Sequence, residues 1–247
     1  MEIPLPLDKL SFGGKDDVSS SDSLNKSDGQ IFVVLVSAGS FNPPTYMHLR
    51  MFELARDALN LEGYYVAGGY MSPVNGAYKK RGLLSADHRI RMSELACQSS
   101  PFIMVDSWEA KQSSFQRTVK VLNRIRSFLT ENGVFSQESL KVMLLCGSDL
   151  LESFATPGVW IPEQVRSICR DYGVVCICRE GKNMEKIISV DEILSEYKTN
   201  ILVVDEQVPN QISSTRLRDC LMRGRSIKYL TADEVIEYIQ QHRLYVQ

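Results

Sequence analysis

The chain has 247 residues, with 28 Lys+Arg against 30 Asp+Glu and a net charge of −2, so no broad basic field draws nucleic acid to it without regard to sequence. Hydrophobic residues make up 44% and charged ones 23%, a globular composition long enough to bury a sizeable core in one large α/β domain or two small ones. The longest apolar stretch, Ile31 to Gly39, is too short to span a bilayer, and residues 1–7 lack the basic region and long apolar run of a secretory signal.

Residues 11–30 are low in complexity: 17 of the 20 are Ser, Gly, Asp, Lys, Asn or Gln. This composition predicts a disordered polar leader over 1–30, followed by one folded domain over 31–247. Order is expected from Ile31, where Ile31-Phe32-Val33-Val34-Leu35-Val36 reads as a strand buried on both faces. Further strands are predicted at 64–71, 102–105, 141–146, 173–178 and 200–204. Helical patterns fall at 45–60, 85–99, 114–130, 162–172, 190–197, 214–223 and 232–242, the last opened by a capping box of Thr231 with Glu234. Strand and helix alternate, which predicts an α/β fold: a doubly wound, mostly parallel sheet with helices on both faces. The six cysteines are scattered. Cys176 and Cys178 face one side of a strand and read as small apolar core residues, because a zinc site needs four suitably spaced ligands. Reduced thiols and the lack of a targeting segment point to an intracellular protein, cytoplasmic, nuclear or both.

No strand is followed by G-x-G-x-x-G, and G-x-x-x-x-G-K-[ST] is absent, so a nucleotide must be held in some other way. Three clusters supply candidates. The first is Gly39-Ser40-Phe41-Asn42-Pro43-Pro44-Thr45-Tyr46-Met47-His48, between the first strand and helix. Gly39 permits close backbone approach, the prolines suit a first helical turn, and the free N–H groups and dipole there favour an anion. Stepping back from Phe52 by four and then three residues reaches His48 and Thr45, so both fall on the sheet-facing side. The second cluster, Gly147-Ser148-Asp149, follows the fourth strand. Asp149 there is either a ribose-binding carboxylate or an N-cap, and Trp160 further on either stacks on a flat ring or covers the core. The third, Asn210-Gln211-Ile212-Ser213-Ser214-Thr215-Arg216-Leu217-Arg218, opens a helix with hydroxyls, N–H groups and two guanidinium groups, a set suited to polyphosphate.

Taken in this order, GSFNPPTYMHLRMFELARDAL (39–59), SPVNGAYKKRGLL (72–84), LLCGSDLLESFATPGVW (144–160) and NQISSTRLR (210–218) resemble the nicotinamide/nicotinate mononucleotide adenylyltransferases of the nucleotidyltransferase superfamily, the eukaryotic type above all. The resemblance runs from about Ile31 to Tyr245. It implies a Rossmann-like nucleotidyltransferase fold and the reaction of ATP with the mononucleotide to give NAD, or deamido-NAD, and pyrophosphate. It further implies His48 and Arg218 as the catalytic pair. Gly39, Ser40 and His48 would meet the ATP phosphates or the new diphosphate, with Phe41 also binding ATP, Gly147 and Asp149 would hold the adenosine ribose, and Asn210 would lie near the adenine. Ser213, Thr215 and Arg218 would clamp the β- and γ-phosphates, and Arg216 would also bind ATP. Tyr78, Lys80, Phe115, Thr118, Val159, Trp160 and Arg179 would serve the mononucleotide, Trp160 by stacking on the pyridine. The wider superfamily often has His where this chain has Thr45, and the animal enzymes have Trp where it has Phe115. Mg²⁺ would be held mainly by ATP phosphates and water, with no residue acting as a metal ligand. The expected partners are ATP and the nicotinamide or nicotinate mononucleotide, with self-association and without nucleic acid or membrane. Other readings are a nucleotidyltransferase with a different phosphate acceptor and a non-catalytic, chaperone-like nucleotide-binding protein.

Overall fold

The computed structural model describes residues 3–13, 29–78, 80–178, 183–208 and 210–245. The first strand, β1 (Phe32–Gly39), carries five consecutive buried residues, as a central parallel strand covered on both sides requires. Val34 and Val36 pack into one core, while Val33 and Leu35 pack into another on the opposite face. Around β1 lie β2 (Tyr65–Pro73), β3 (Ile103–Val105), β4 (Leu140–Gly147), β5 (Val174–Cys178) and β6 (Ile201–Asp205). Every strand pair is parallel, in the order β3-β2-β1-β4-β5-β6. The chain therefore reverses its direction of winding between β1 and β4, and the crevice beyond their carboxyl ends is where such sheets bind ligands.

Helix α1 (Tyr46–Leu61) covers one face through Phe52, Ala55 and Leu59. On the other face α3 (Thr118–Glu131) buries Val121, Leu122, Ile125 and Leu129. A third cluster joins α2 (Ala86–Cys97) to α8 (Ser214–Met222) and α9 (Asp233–Gln241) through Met92, Leu95, Leu217, Val235 and Ile239. This third packing fixes α8 against the crevice. The shorter helices are α4 (Ser148–Phe154), α5 (Pro162–Ser167), α6 (Met184–Val190) and α7 (Glu192–Glu196). Among the described residues no helix is long and apolar enough to cross a membrane.

Several local expectations are corrected. Residues 3–13, read from sequence as part of a polar leader, lie against the sheet. Leu5 is buried, Tyr70 Oη donates to the Pro6 carbonyl at 2.7 Å, and Ser11 N–H donates to the Ala67 carbonyl at 2.9 Å. Leu10 sits so closely over Gly68 that a Cβ there would come within 2.5 Å of it. Residues 14–28 lie outside the described residues. The helix expected over 114–130 starts only at Thr118, which leaves Phe115 in the preceding loop. The 162–172 pattern is α5 followed by a π-helical turn over Ile168–Tyr172, and 190–197 spans the end of α6 and all of α7. The Thr231–Glu234 capping box does not form. Ala232 is the N-cap of α9, while buried Thr231 Oγ1 donates to the Pro44 carbonyl at 2.9 Å. Cys146, Cys169, Cys176 and Cys178 are free thiols buried together in the first core.

Candidate active site

The turn after β1 is the centre of the site. Gly39 leaves room that a side chain would take, since a Cβ there would sit 3.1 Å from Phe41 Cζ. Phe41 has φ +41° and is buried, so its side chain supports the turn from inside. A left-handed conformation at an aromatic residue costs about 1–3 kcal/mol, offset here by burial of the ring. Pro43 and Pro44 precede the N-cap Thr45 rather than filling the first helical turn. The N-terminus of α1 is also less open to an anion than expected, because Tyr46 N–H donates to the Leu230 carbonyl at 3.0 Å.

His48 stands three residues after the N-cap, where Glu or Gln completes a capping box in other helices. The Thr45 backbone N–H donates to His48 Nδ1 at 3.0 Å, and Thr45 Oγ1 lies 2.9 Å from the same nitrogen. A nitrogen that accepts from a backbone N–H carries no proton, so in the neutral ring the proton is on Nε2. Phe41 meets the imidazole edge to face, with ring centres 5.2 Å apart. Thr45, itself buried, thus orients the imidazole.

Arg218, on α8, reaches back to the same turn: Nη1 donates to the Asn42 carbonyl at 2.7 Å and Nη2 to Thr215 Oγ1 at 3.3 Å. Ser213 caps α8 by accepting from Arg216 N–H, and Ser214 Oγ donates to the Pro43 carbonyl at 2.7 Å. Arg216 is exposed and pairs with Gln211. A second cation comes from the β2–α2 loop, where Lys80 Nζ donates to Ser40 Oγ at 2.9 Å. Desolvation, then the Arg218 and Arg89 charges, lowers the Lys80 pKa. The turn 40–42 therefore gathers positive charge, as a site for phosphate oxygens needs.

On the far side of the switch, Gly147 is the N-cap of α4 and Asp149 lies exposed in its first turn, which corrects the N-cap alternative for Asp149. Beside β6 is a cavity of about 440 Å³ lined by Tyr46, Met47, Arg50, Glu206, Asn210 and Ile212 among others. Asn210 is held at its wall, with Nδ2 3.2 Å from Met47 Sδ and Oδ1 accepting from Ile212 N–H. On the opposite flank, the Tyr78 and Phe115 rings stack with centres 6.1 Å apart. Thr118 begins α3 and Val159 is exposed in the α4–α5 loop. Trp160 is half-buried: its Nε1 donates to Ser153 Oγ at 2.9 Å and its ring meets Phe154 edge-on at 4.7 Å. Lys79 and Arg179 lie outside the described residues.

The cytidylyltransferase-like family model matches residues 36–220. An Arabidopsis thaliana nicotinamide/nicotinic acid mononucleotide adenylyltransferase is 61% identical over all of this chain and 99% of its own length. The chain belongs to the nicotinamide/nicotinic acid mononucleotide adenylyltransferases. A Bos taurus family member is 42% identical, covering 86% of this chain and 88% of its own. The fold matches a Plasmodium falciparum nicotinic acid mononucleotide adenylyltransferase solved with NaAD, at 20% identity and TM-score 0.60 over 86% of this chain and 97% of that one.

In this family member, sequence reasoning missed the residues that build the site without facing it. Among the described residues Arg89 is the largest fully buried side chain. Its guanidinium donates to the Leu84, Ser40 and Val74 carbonyls at 3.0, 3.2 and 2.7 Å. It thereby ties the Ser40 turn to both ends of the loop carrying Tyr78 and Lys80. Within an amphipathic helix, Arg89 reads as an ordinary surface charge. Glu109 is buried close by, with Ser72 Oγ donating to it at 3.4 Å, and desolvation pushes its carboxyl up to about 8.

Proposed function

We propose that the protein joins ATP to nicotinamide mononucleotide or its acid form, giving NAD or deamido-NAD and pyrophosphate, at the turn 39–48. The observation that carries this reading is the convergence of His48, Lys80 and Arg218, from three separate segments, on residues 40–45 at the switch point of the sheet. The adenine enters the cavity walled by Met47, Asn210 and Ile212, and its ribose faces Gly147 and Asp149. The triphosphate runs across Gly39, Ser40 and His48 towards Ser213, Thr215, Arg216 and Arg218. The mononucleotide lies on the Tyr78–Phe115 side, with its phosphate at Lys80 and its pyridine towards Thr118, Val159 and Trp160.

An oxygen of the mononucleotide phosphate attacks the α-phosphorus of ATP. The bond from that phosphorus to the bridging oxygen breaks, and pyrophosphate leaves with the electron pair. The nucleophile is ionised at neutral pH, so no side chain has to remove a proton. What the chain supplies is alignment and charge. His48 donates from Nε2, in the tautomer that Thr45 selects, to a phosphate oxygen on which charge accumulates. Arg218 and Lys80 neutralise the phosphates. Two of the side chains bonded to the turn 40–42, Lys80 and Arg218, are cations. Mg²⁺ would accordingly be carried on ATP, held by phosphates and water, and would screen phosphate charge. The resemblance to the family also supports self-association, which sedimentation velocity tests.

The deciding experiment supplies ATP, Mg²⁺ and both mononucleotides in competition and measures pyrophosphate with each dinucleotide. Equimolar pyrophosphate and dinucleotide is expected. Folded protein that yields neither returns the site to a nucleotide-binding role without catalysis.

A further inference from the structure

Beyond the family motifs, the C-terminal segment reaches the phosphate turn. After α9, Leu244 is buried in the third core cluster and Tyr245 follows it with φ +62°. The Tyr245 hydroxyl donates to Asn42 Oδ1 at 2.7 Å, across 203 positions of sequence. The other end of the same amide is also held, because Asn42 Nδ2 donates to the Gly82 carbonyl at 2.8 Å. Asn42 is completely buried, and its backbone carbonyl is the acceptor for Arg218 Nη1. Burial raises the pKa of the Tyr245 hydroxyl, against the lowering pull of Arg218 and then Arg89, so the proton it donates stays in place at neutral pH.

We propose that Tyr245 is a positioning residue for adenylyl transfer: its hydroxyl fixes the Asn42 amide, and so sets where the Asn42 carbonyl holds the Arg218 guanidinium. Tyr245 acts only through Asn42 and Arg218. This inference rests on the transferase reading given above.

The alternative is that Tyr245 simply pins the end of α9 to the core. Replacing Tyr245 by Phe removes one oxygen and keeps the ring, so packing is nearly preserved. Steady-state kinetics and thermal melting are measured for the parent, Tyr245→Phe, Arg218→Ala and the double variant. Loss of one buried hydrogen bond that acts in the transition state predicts about a 3- to 10-fold lower kcat for Tyr245→Phe. The mononucleotide KM is expected to stay within about 2-fold. In the Arg218→Ala background the same substitution is expected to cost less than about 2-fold, because the group it positions is gone. Leu244→Ala serves as the packing control: it lowers the melting temperature and leaves kcat unchanged. A Tyr245→Phe protein with parental kcat, or one that loses as much activity in the Arg218→Ala background as in the parent, overturns the inference while the activity itself stands. A parent chain that makes no dinucleotide overturns the activity reading and this inference together.

Discussion

Arg218 Nη1 donates to the carbonyl of Asn42, 176 positions earlier, at 2.7 Å. The residue before Asn42, Phe41, lies edge to face against His48. Two consecutive residues of one turn therefore hold the two side chains most suited to phosphate, one from α1 and one from α8. The turn can do this because it is locked from inside: Phe41 and Asn42 are both buried.

For His48 this arrangement predicts an effect on turnover rather than on binding. His48→Ala removes one oriented donor, a loss of about 10²- to 10³-fold in kcat by comparison with other such donors. The KM for ATP is expected to stay within about 3-fold, since Arg218 and the hydroxyls of α8 remain. Initial-rate measurements of pyrophosphate release check both values. A large rise in KM with unchanged kcat would mean that His48 only binds.

The sheet was legible in the sequence because its signals are local. Val33 to Val36 are buried on both faces and so read as an unbroken apolar run. His48, reached by stepping back along the stripe of Phe52, Ala55 and Leu59, is half-buried and edge to face with Phe41. What stayed hidden depends on partners remote in the chain. Arg89 binds carbonyls of two loops, Ser40 in one and Val74 and Leu84 in the other, and no neighbour in sequence signals this. Thr231 has the residue spacing of a capping box, but the distant Pro44 carbonyl claims its hydroxyl. Leu5 and Leu10 adjoin the polar composition of 11–30, yet they pack with the first core cluster. Tyr245 carried no motif at all.

Phe115 stacks on Tyr78 in the loop before α3. If the pair forms one wall of the mononucleotide site, Phe115→Ala raises the mononucleotide KM by about 3- to 15-fold, the range of an aromatic contact. The KM for ATP stays at its parental value. Titrating each substrate at saturating levels of the other separates the two. An equal rise in both would place Phe115 in general support of the fold.

Glu109 sets a pH dependence of stability. Its carboxyl is raised from 4.5 to about 8 by desolvation, so between those values the folded chain binds more protons than the unfolded one. This contribution to stability is complete below about 4.5 and is lost as pH rises through about 8. Glu109→Gln, which mimics the protonated acid, should melt close to the parent at pH 5 and above it at pH 9. Melting curves across that range decide the matter. A variant less stable than the parent at pH 9 would show that Glu109 works ionised.

Direct attack leaves no adenylated side chain. With labelled pyrophosphate and ATP but no mononucleotide, exchange of label into ATP is expected at background. Exchange at a rate near turnover would reveal a covalent adenylyl-enzyme.

Convergence on a single triphosphate is tested most directly by a crystal structure with a non-hydrolysable ATP analogue. His48 Nε2 and the Arg218 guanidinium are expected within about 3.5 Å of oxygens on the same triphosphate. An analogue bound with its phosphates out of reach of either side chain would refute the convergence.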